Sequence, residues 1–395
     1  MRLFLATFGV AALLAGCGGA PPGGAIGPAS PTGPLATEPI LATATPSGTP
    51  PPSVSRAPSV APTASPTPPL SVYAGTRAGM LAPAVAGIPA RVYVPHEISG
   101  TVVVIDPTTF EIIDGFATGS IAHHVTPSWD MTRLYVNNML SDTLTEIDAG
   151  TGQVTGTVEV RRPYNLYFTP DGRYTIVVAE DLRRLDFFKR ETWELVQSVP
   201  IAYWGVDHLD FAADGSYLLA STEFDGWLVK VDIDTLAVSG ELNLGGLPVD
   251  VKVSPDGSVF YIANQGRHGV SIVDPVTMTE LDFLPTGRGA HGLAVSRDTR
   301  SLFVSNRLEG TMSMIDFSTR SIVATWNVGG SPDMLNVSPD GSQLWVSNRY
   351  HDSVSVIDTA EGSVIATIAV AHAPHGLTYF PQPGSMSIGH NGVYR

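Results

Sequence analysis

The chain has 395 residues, 43% of them hydrophobic and 15% charged, with 40 glycines and 32 prolines. Glycine without a three-residue period excludes a collagen, and sparse charge among so much glycine and proline excludes a long coiled coil. A net charge of −15 repels phosphate backbones, so nucleic acid is not an expected partner, and a single cysteine excludes an internal disulfide or a multi-cysteine metal site.

The N-terminal residues read as an address. Arg2 supplies a positive start, and Leu3 to Leu14 form an apolar run too short to span a bilayer. The run ends in Leu14-Ala15-Gly16-Cys17, which resembles a bacterial lipobox. That resemblance implies a signal peptide over residues 1–16 and a diacylglycerol on the sulfur of Cys17. The expected location is the extracytoplasmic face of the cell membrane, at the cell surface or in the periplasm, with the membrane as partner through the lipid anchor. An ordinary secretory peptide is the alternative, but the lone cysteine falls at the motif position.

Residues 17–75 are expected to be the lipidated cysteine and a disordered tether rich in Pro, Ala, Ser and Thr, as in Thr45-Pro46-Ser47-Gly48-Thr49-Pro50. Such a segment has too little apolar surface to offset its ordering entropy. Fully stretched, it reaches on the order of 150 Å from the membrane.

Residues 76–395 are one unit repeated seven times. Ser254-Pro255-Asp256-Gly257 is followed by Tyr261-Ile262-Ala263-Asn264 and Val270-Ser271-Ile272-Val273-Asp274; Ser338-Pro339-Asp340-Gly341 is followed by Trp345-Val346-Ser347-Asn348 and Val354-Ser355-Val356-Ile357-Asp358. Aligned on the first serine, the ladder runs Ser128, Thr169, Ala212, Ser254, Ser296, Ser338 and Phe380, with spacings of 41, 43, 42, 42, 42 and 42. A second ladder of strand-closing aspartates is expected at Asp106, Asp148, Asp186, Asp232, Asp274, Asp316 and Asp358. Each unit holds four short β-rich runs bounded by Gly, Pro, Asp and Asn, which predicts an all-β, seven-bladed propeller of four-stranded blades. The N-terminal end starts mid-unit at Arg91, so the C-terminal inner strand around His375 to Phe380 is expected to close the ring against the N-terminal strands.

Arg133-Leu134-Tyr135-Val136-Asn137-Asn138 and Leu302-Phe303-Val304-Ser305-Asn306 are similar to the YVTN-type repeats of YncE-like and surface-layer proteins, over roughly residues 90 to 380. The relatives include lactonase-like propellers and the haem-binding propeller of cytochrome-type nitrite reductase. The resemblance therefore implies a shape shared by binding proteins and enzymes.

In a propeller the loops entering the inner strands share one face of a central channel. The position five residues before each member of the serine ladder lies at that entry, reading His123, Tyr164, Asp207, Val249, His291, Asp333 and His375 around the ring. His124 and His208 lie one residue further on. The loop after the second strand is expected on the same face, with His96, Asn138, Glu180, Glu223, Asn306, Arg307, Asn348 and Arg349; Arg288 lies three residues before His291. The expected ligand-binding set at the channel mouth is His123, Tyr164, Asp207, His208, His291, Asp333, His375, Arg288, Arg307 and Arg349. Neutral imidazoles bind transition metals, which makes His123, His291 and His375 the candidate metal ligands. Haem is the other cofactor considered, with histidine as axial ligand and arginines meeting its propionates. The plain alternative is a rim that is polar because it is wet.

The turn aspartates Asp171, Asp256 and Asp340 read as turn formers, each before a glycine free to take positive φ. No Gly-x-Ser-x-Gly elbow, phosphate loop or HExxH motif occurs. The tail from Pro381 to Arg395 leaves the ring at the other face, with plugging the channel as one use for it. Three functions remain open: a tethered propeller binding a small molecule or protein partner at the mouth, a haem- or metal-dependent oxidoreductase (less readily a lactonase or lyase), and a passive envelope component.

Overall fold

The computed structural model describes residues 71–390 together with Tyr394 and Arg395; the expected signal segment, Cys17 and most of the tether lie outside the described residues. Among those residues, 28 strands form seven four-stranded antiparallel sheets arranged as the blades of a propeller. Numbered in chain order, blades 1 to 6 open with the inner strands Ala122–Pro127, Asn165–Phe168, Val206–Phe211, Pro248–Val253, Ala290–Val295 and Pro332–Val337. Blade 7 combines Thr378–Phe380 with Arg91–His96, Thr101–Ile105 and Ile112–Ala117, in that order outward. Arg91 faces Phe380, Val92 faces Tyr379 and Tyr93 faces Thr378 across the closing seam, as the half-units at the two ends of the sequence require.

Burial grades from the axis outward. Val206–Phe211 and Pro248–Val253 are buried along their whole length, because neighbouring blades cover both faces. The outermost strand Ser321–Asn327 alternates exposed and half-buried residues, since only one face meets a neighbour. The core lies between blades: Tyr135 and Leu144 of blade 1 pack on Leu166, Phe168 and Val177 of blade 2.

The turn aspartates act as expected. The Ser254 hydroxyl donates to Asp256 Oδ1 at 2.5 Å, the Ser258 amide donates to the same oxygen at 3.0 Å, and Gly257 takes φ +73°. The strand-closing ladder needs one correction. At six positions an aspartate ends the third strand and accepts amide protons of the following turn, as Asp148 does from Thr151 and Asp316 from Ser318. In blade 2 that position is Lys189, not Asp186. Asp186 sits inside the strand, buried, and accepts from Arg184 Nε at 3.0 Å and from the Ser198 hydroxyl. Lysine offers no acceptor, so its ammonium instead pairs with Glu194 at 2.7 Å across the turn.

The asparagine that ends the second strand clamps its own hairpin. Asn306 Nδ2 donates to Thr311 Oγ1 and Ser313 Oγ at 3.0 Å each, and Asn138 and Asn348 repeat the pattern in blades 1 and 6. These three asparagines hold the hairpins and stand behind the channel wall.

The face of the ring at the C-terminal ends of the inner strands is covered. Arg395 reaches Asp210 Oδ1 at 2.9 Å, the Ser387 amide donates to the Trp129 carbonyl, Ile388 packs between blades 2 and 3, and Tyr73 donates to the Val253 carbonyl at 2.9 Å. The tail thus does plug the channel at that end.

Candidate functional site

The inner strands enter the channel through a local irregularity. Ala122 pairs with Asn138, and the ladder then slips and resumes at Val125 opposite Val136, leaving His123 and His124 outside it. The same slip recurs after Val206, Pro248, Ala290 and Pro332. Consecutive side chains of a regular strand point to opposite faces, but a bulge re-aims them. Both His123 and His124 therefore meet His375 in the channel, with ring centroids 4.0 and 4.8 Å away. Gly376 makes the room: a Cβ there would lie 1.9 Å from His124 Nδ1.

The open end holds a cavity of about 510 Å³. Its floor carries His123, Tyr164 and His291 from the predicted column, and its wall carries Glu97, Glu180, Glu223, Arg307 and Arg349. The column departs from expectation in burial. His123, Tyr164, Asp207, His291, Asp333 and His375 are all buried. The wet rim is instead apolar and aromatic, with Leu140, Phe224 and Tyr350 exposed by 50%, 58% and 61%.

Two carboxylates organise the floor. Asp333 receives Arg307 Nε at 2.7 Å and His375 Nδ1 at 2.7 Å, and His291 Nδ1 lies 3.0 Å from it. Burial alone would raise the Asp333 carboxyl, but Arg307, His291 and His375 together hold it well below the usual carboxylate range. Glu97 lies 2.8 Å from His123 Nε2 and accepts from Arg349 Nη2 at 2.6 Å. Burial opposes its ionisation too, yet His123, His375 and Arg349 bring its pKa down to about 2.

Glu180 and Glu223 face the same cavity with no ion-pair partner. Burial first, then the charge of Asp207, pushes Glu180 up to about 9 and Glu223 up to about 7. At neutral pH this wall is a store of protons between two guanidinium clamps that are already occupied.

Deeper in the channel lie His124, His208 and His390, all fully buried. His208 Nδ1 pairs with Asp207, whose charge overcomes burial and holds that imidazole above its ordinary value. His124 and His390 have no carboxylate, and burial pushes both well below the ordinary histidine value, so they are neutral. Of the predicted metal trio, His123 and His375 approach a common point with His124, whereas His291 does not: its Nε2 faces Arg307 and its Nδ1 faces Asp333.

Arg288 is outside the cavity lining. It is exposed, with its side chain on the Leu308 carbonyl at 3.4 Å, because Glu309 takes its amide and turns it outward before Gly289. His96 is spent on Thr101 Oγ1 at 3.1 Å, and the neighbouring Glu97 reaches the site in its place. The sequence reading missed Glu97, Gln265 and His390. The first two hold the same repeat position, directly after the second strand, as Glu180, Glu223, Arg307 and Arg349, so the repeat spacing marks them, whereas His390 lies beyond the last repeat.

Residues 60–382 match the family described as YNCE-like beta-propeller. The chain belongs to the YncE-like β-propeller family. A stretch of 49 residues, 12% of this chain, is 45% identical to the PE-PGRS family protein PE_PGRS18 of Mycobacterium tuberculosis. The chain spans about a tenth of that curated relative, 10% of its length. Among solved structures, a functionally unknown protein from Desulfotomaculum acetoxidans superposes with a TM-score of 0.64 at 17% identity, over 73% of this chain and 98% of that one. Dihydro-heme d1 dehydrogenase NirN in complex with DHE superposes with a TM-score of 0.58 at 17% identity, over 80% and 83%. At such identity the likeness is one of fold.

The residues present fit a bare cation better than haem in this YncE-like channel. Imidazole centroids in the deep cluster stand 4.5 to 5.4 Å apart, which leaves no space for a macrocycle between them. In the cavity above, Arg307 and Arg349, the expected propionate partners, are already bound to Asp333 and Glu97.

Proposed function

We propose that this YncE-like propeller is an extracytoplasmic binding protein, tethered to the membrane through Cys17, that takes a small hydrogen-bond-donating molecule into the channel mouth. The observation that carries this reading is the pair of carboxyls, Glu180 buried and Glu223 half-buried, on the wall of a 510 Å³ cavity, neither in a salt bridge because Arg307 and Arg349 are engaged by Asp333 and Glu97. A ligand with an amine or several hydroxyls would supply the missing donors, and Phe224 and Tyr350 would cover its apolar part from the rim. The filled clamps of Arg307 and Arg349 keep the floor rigid and argue against an anionic ligand. The anchor and the location outside the cytoplasm rest on the lipobox resemblance at residues 14–17.

The test is extraction of small molecules from full-length protein purified from its own host, beside a Phe224→Asp, Tyr350→Ala double variant. One compound recovered near stoichiometry from the wild type and depleted in the variant is expected. Equal recovery from both, or no enriched compound, would remove this reading. A metal-dependent oxidoreductase is the second reading, favoured by the unpartnered imidazole nitrogens beneath the cavity.

A further inference from the structure

Below the mouth cavity the channel holds polar atoms that ligand binding above leaves unused. Both ring nitrogens of His124, both of His390 and Nε2 of His208 are buried without a hydrogen-bond partner. A folded chain keeps few such atoms, because each carries its full desolvation cost, and a cluster of them calls for a partner. Here they converge. Ring centroids are 4.5 Å apart for His124 and His390, 4.6 Å for His208 and His390, and 5.4 Å for His124 and His208, and one donor atom from each lies within 4.8 Å of the other two.

We propose that His124, His208 and His390 form a three-imidazole site for one transition-metal cation of the zinc or copper class. Three nitrogen donors without carboxylate or thiolate suit such ions and not calcium or magnesium. His208 has the outer-shell partner that histidine ligands ordinarily carry, since Asp207 holds Nδ1 and leaves Nε2 free for the metal. The nearest ammonium, on Lys252, is neutralised by Asp250 at 2.9 Å. Gly376 is required as a glycine because any side chain would occupy the place of the His124 ring.

A second trio, His123, His124 and His375, also converges, but its outer members are tied to Glu97 and Asp333 and it leaves His390 without a purpose. Only the deep trio gives a ring nitrogen of His390 a partner. That residue comes from the C-terminal tail, so the tail contributes a ligand as well as a plug.

The experiment is titration of chelator-stripped full-length protein with Co²⁺, read by visible absorption, with Zn²⁺ competition and metal analysis for stoichiometry. One tightly held ion per chain is expected. His390→Gln and His208→Gln should each weaken binding at least a hundredfold, while His268→Gln in an outer loop leaves it unchanged. X-ray absorption on the wild-type zinc form needs no variant to fold, and should show imidazole nitrogens at about 2.0–2.1 Å. No bound ion, oxygen-only ligation, or binding lost in His123→Gln but retained in His390→Gln would overturn the assignment; the first would leave bridging water as the partner of these atoms.

Discussion

At the residue scale the site is governed by where charge is forced to live. Asp333 is fully buried and serves Arg307, His291 and His375 at once. Removing one partner of a buried ion pair typically costs about 3–5 kcal/mol, because the other charge is stranded. Asp333→Asn is therefore expected to lower unfolding stability by about that amount in a urea titration, with Tyr350→Ala on the rim costing under about 1 kcal/mol. Glu180 behaves oppositely. Its folded pKa of about 9 lies above the ordinary glutamate value of 4.5, so between those values the folded protein binds a proton that the unfolded chain has lost. Stability then falls as pH rises through that window, by at most about 1.4 kcal/mol per pH unit. Melting temperature should drop from pH 7.5 to pH 8.5, above the ordinary histidine range in which the depressed His124 and His390 act in the opposite direction, and Glu180→Gln should flatten that slope. Glu97 and Asp333, held low, titrate below the window and leave it undisturbed.

At the element scale, the blade hairpin explains what the repeat motif is for. Asn306 spends its amide on Thr311 and Ser313 across the hairpin, so Asn306→Ala should cost about 1–2 kcal/mol and leave ligand binding at the mouth unchanged. Strand count, turn chemistry and closure were legible because each rests on local patterns repeated at 41 to 43 residues. Asp186 misled because alignment by residue type found an aspartate three positions before the true strand end at Lys189. The inward column was legible for the same reason as the blades. Its burial was not, because the ladder slip after Ala122 doubles the number of residues turned inward, and no composition signal marks it. Arg288 lay near His291 in the sequence, yet the turn at Gly289 directs it outward.

At the scale of the whole molecule, the ring is what makes distant residues neighbours. Glu97 and Arg349 meet across the closing blade, and His124 meets His390 only because the tail folds back under the channel. Deleting residues 381–395 should keep the blades but open the lower face, removing Ile388 from its packing and Arg395 from Asp210. A lowered melting temperature is expected, together with faster amide exchange in Val206–Phe211 relative to Ala290–Val295. Equal exchange in the two strands would show that the tail is not part of the fold. The short strand Thr378–Phe380 holds the ring shut through pairing with Arg91–His96. Hydrogen–deuterium exchange of the intact protein reads that seam directly. Protection of residues 378–380 should match that of residues 92–94, both opening only with global unfolding, whereas rapid exchange of 378–380, as in a frayed terminus, would contradict a closed ring and every neighbour relation in the channel.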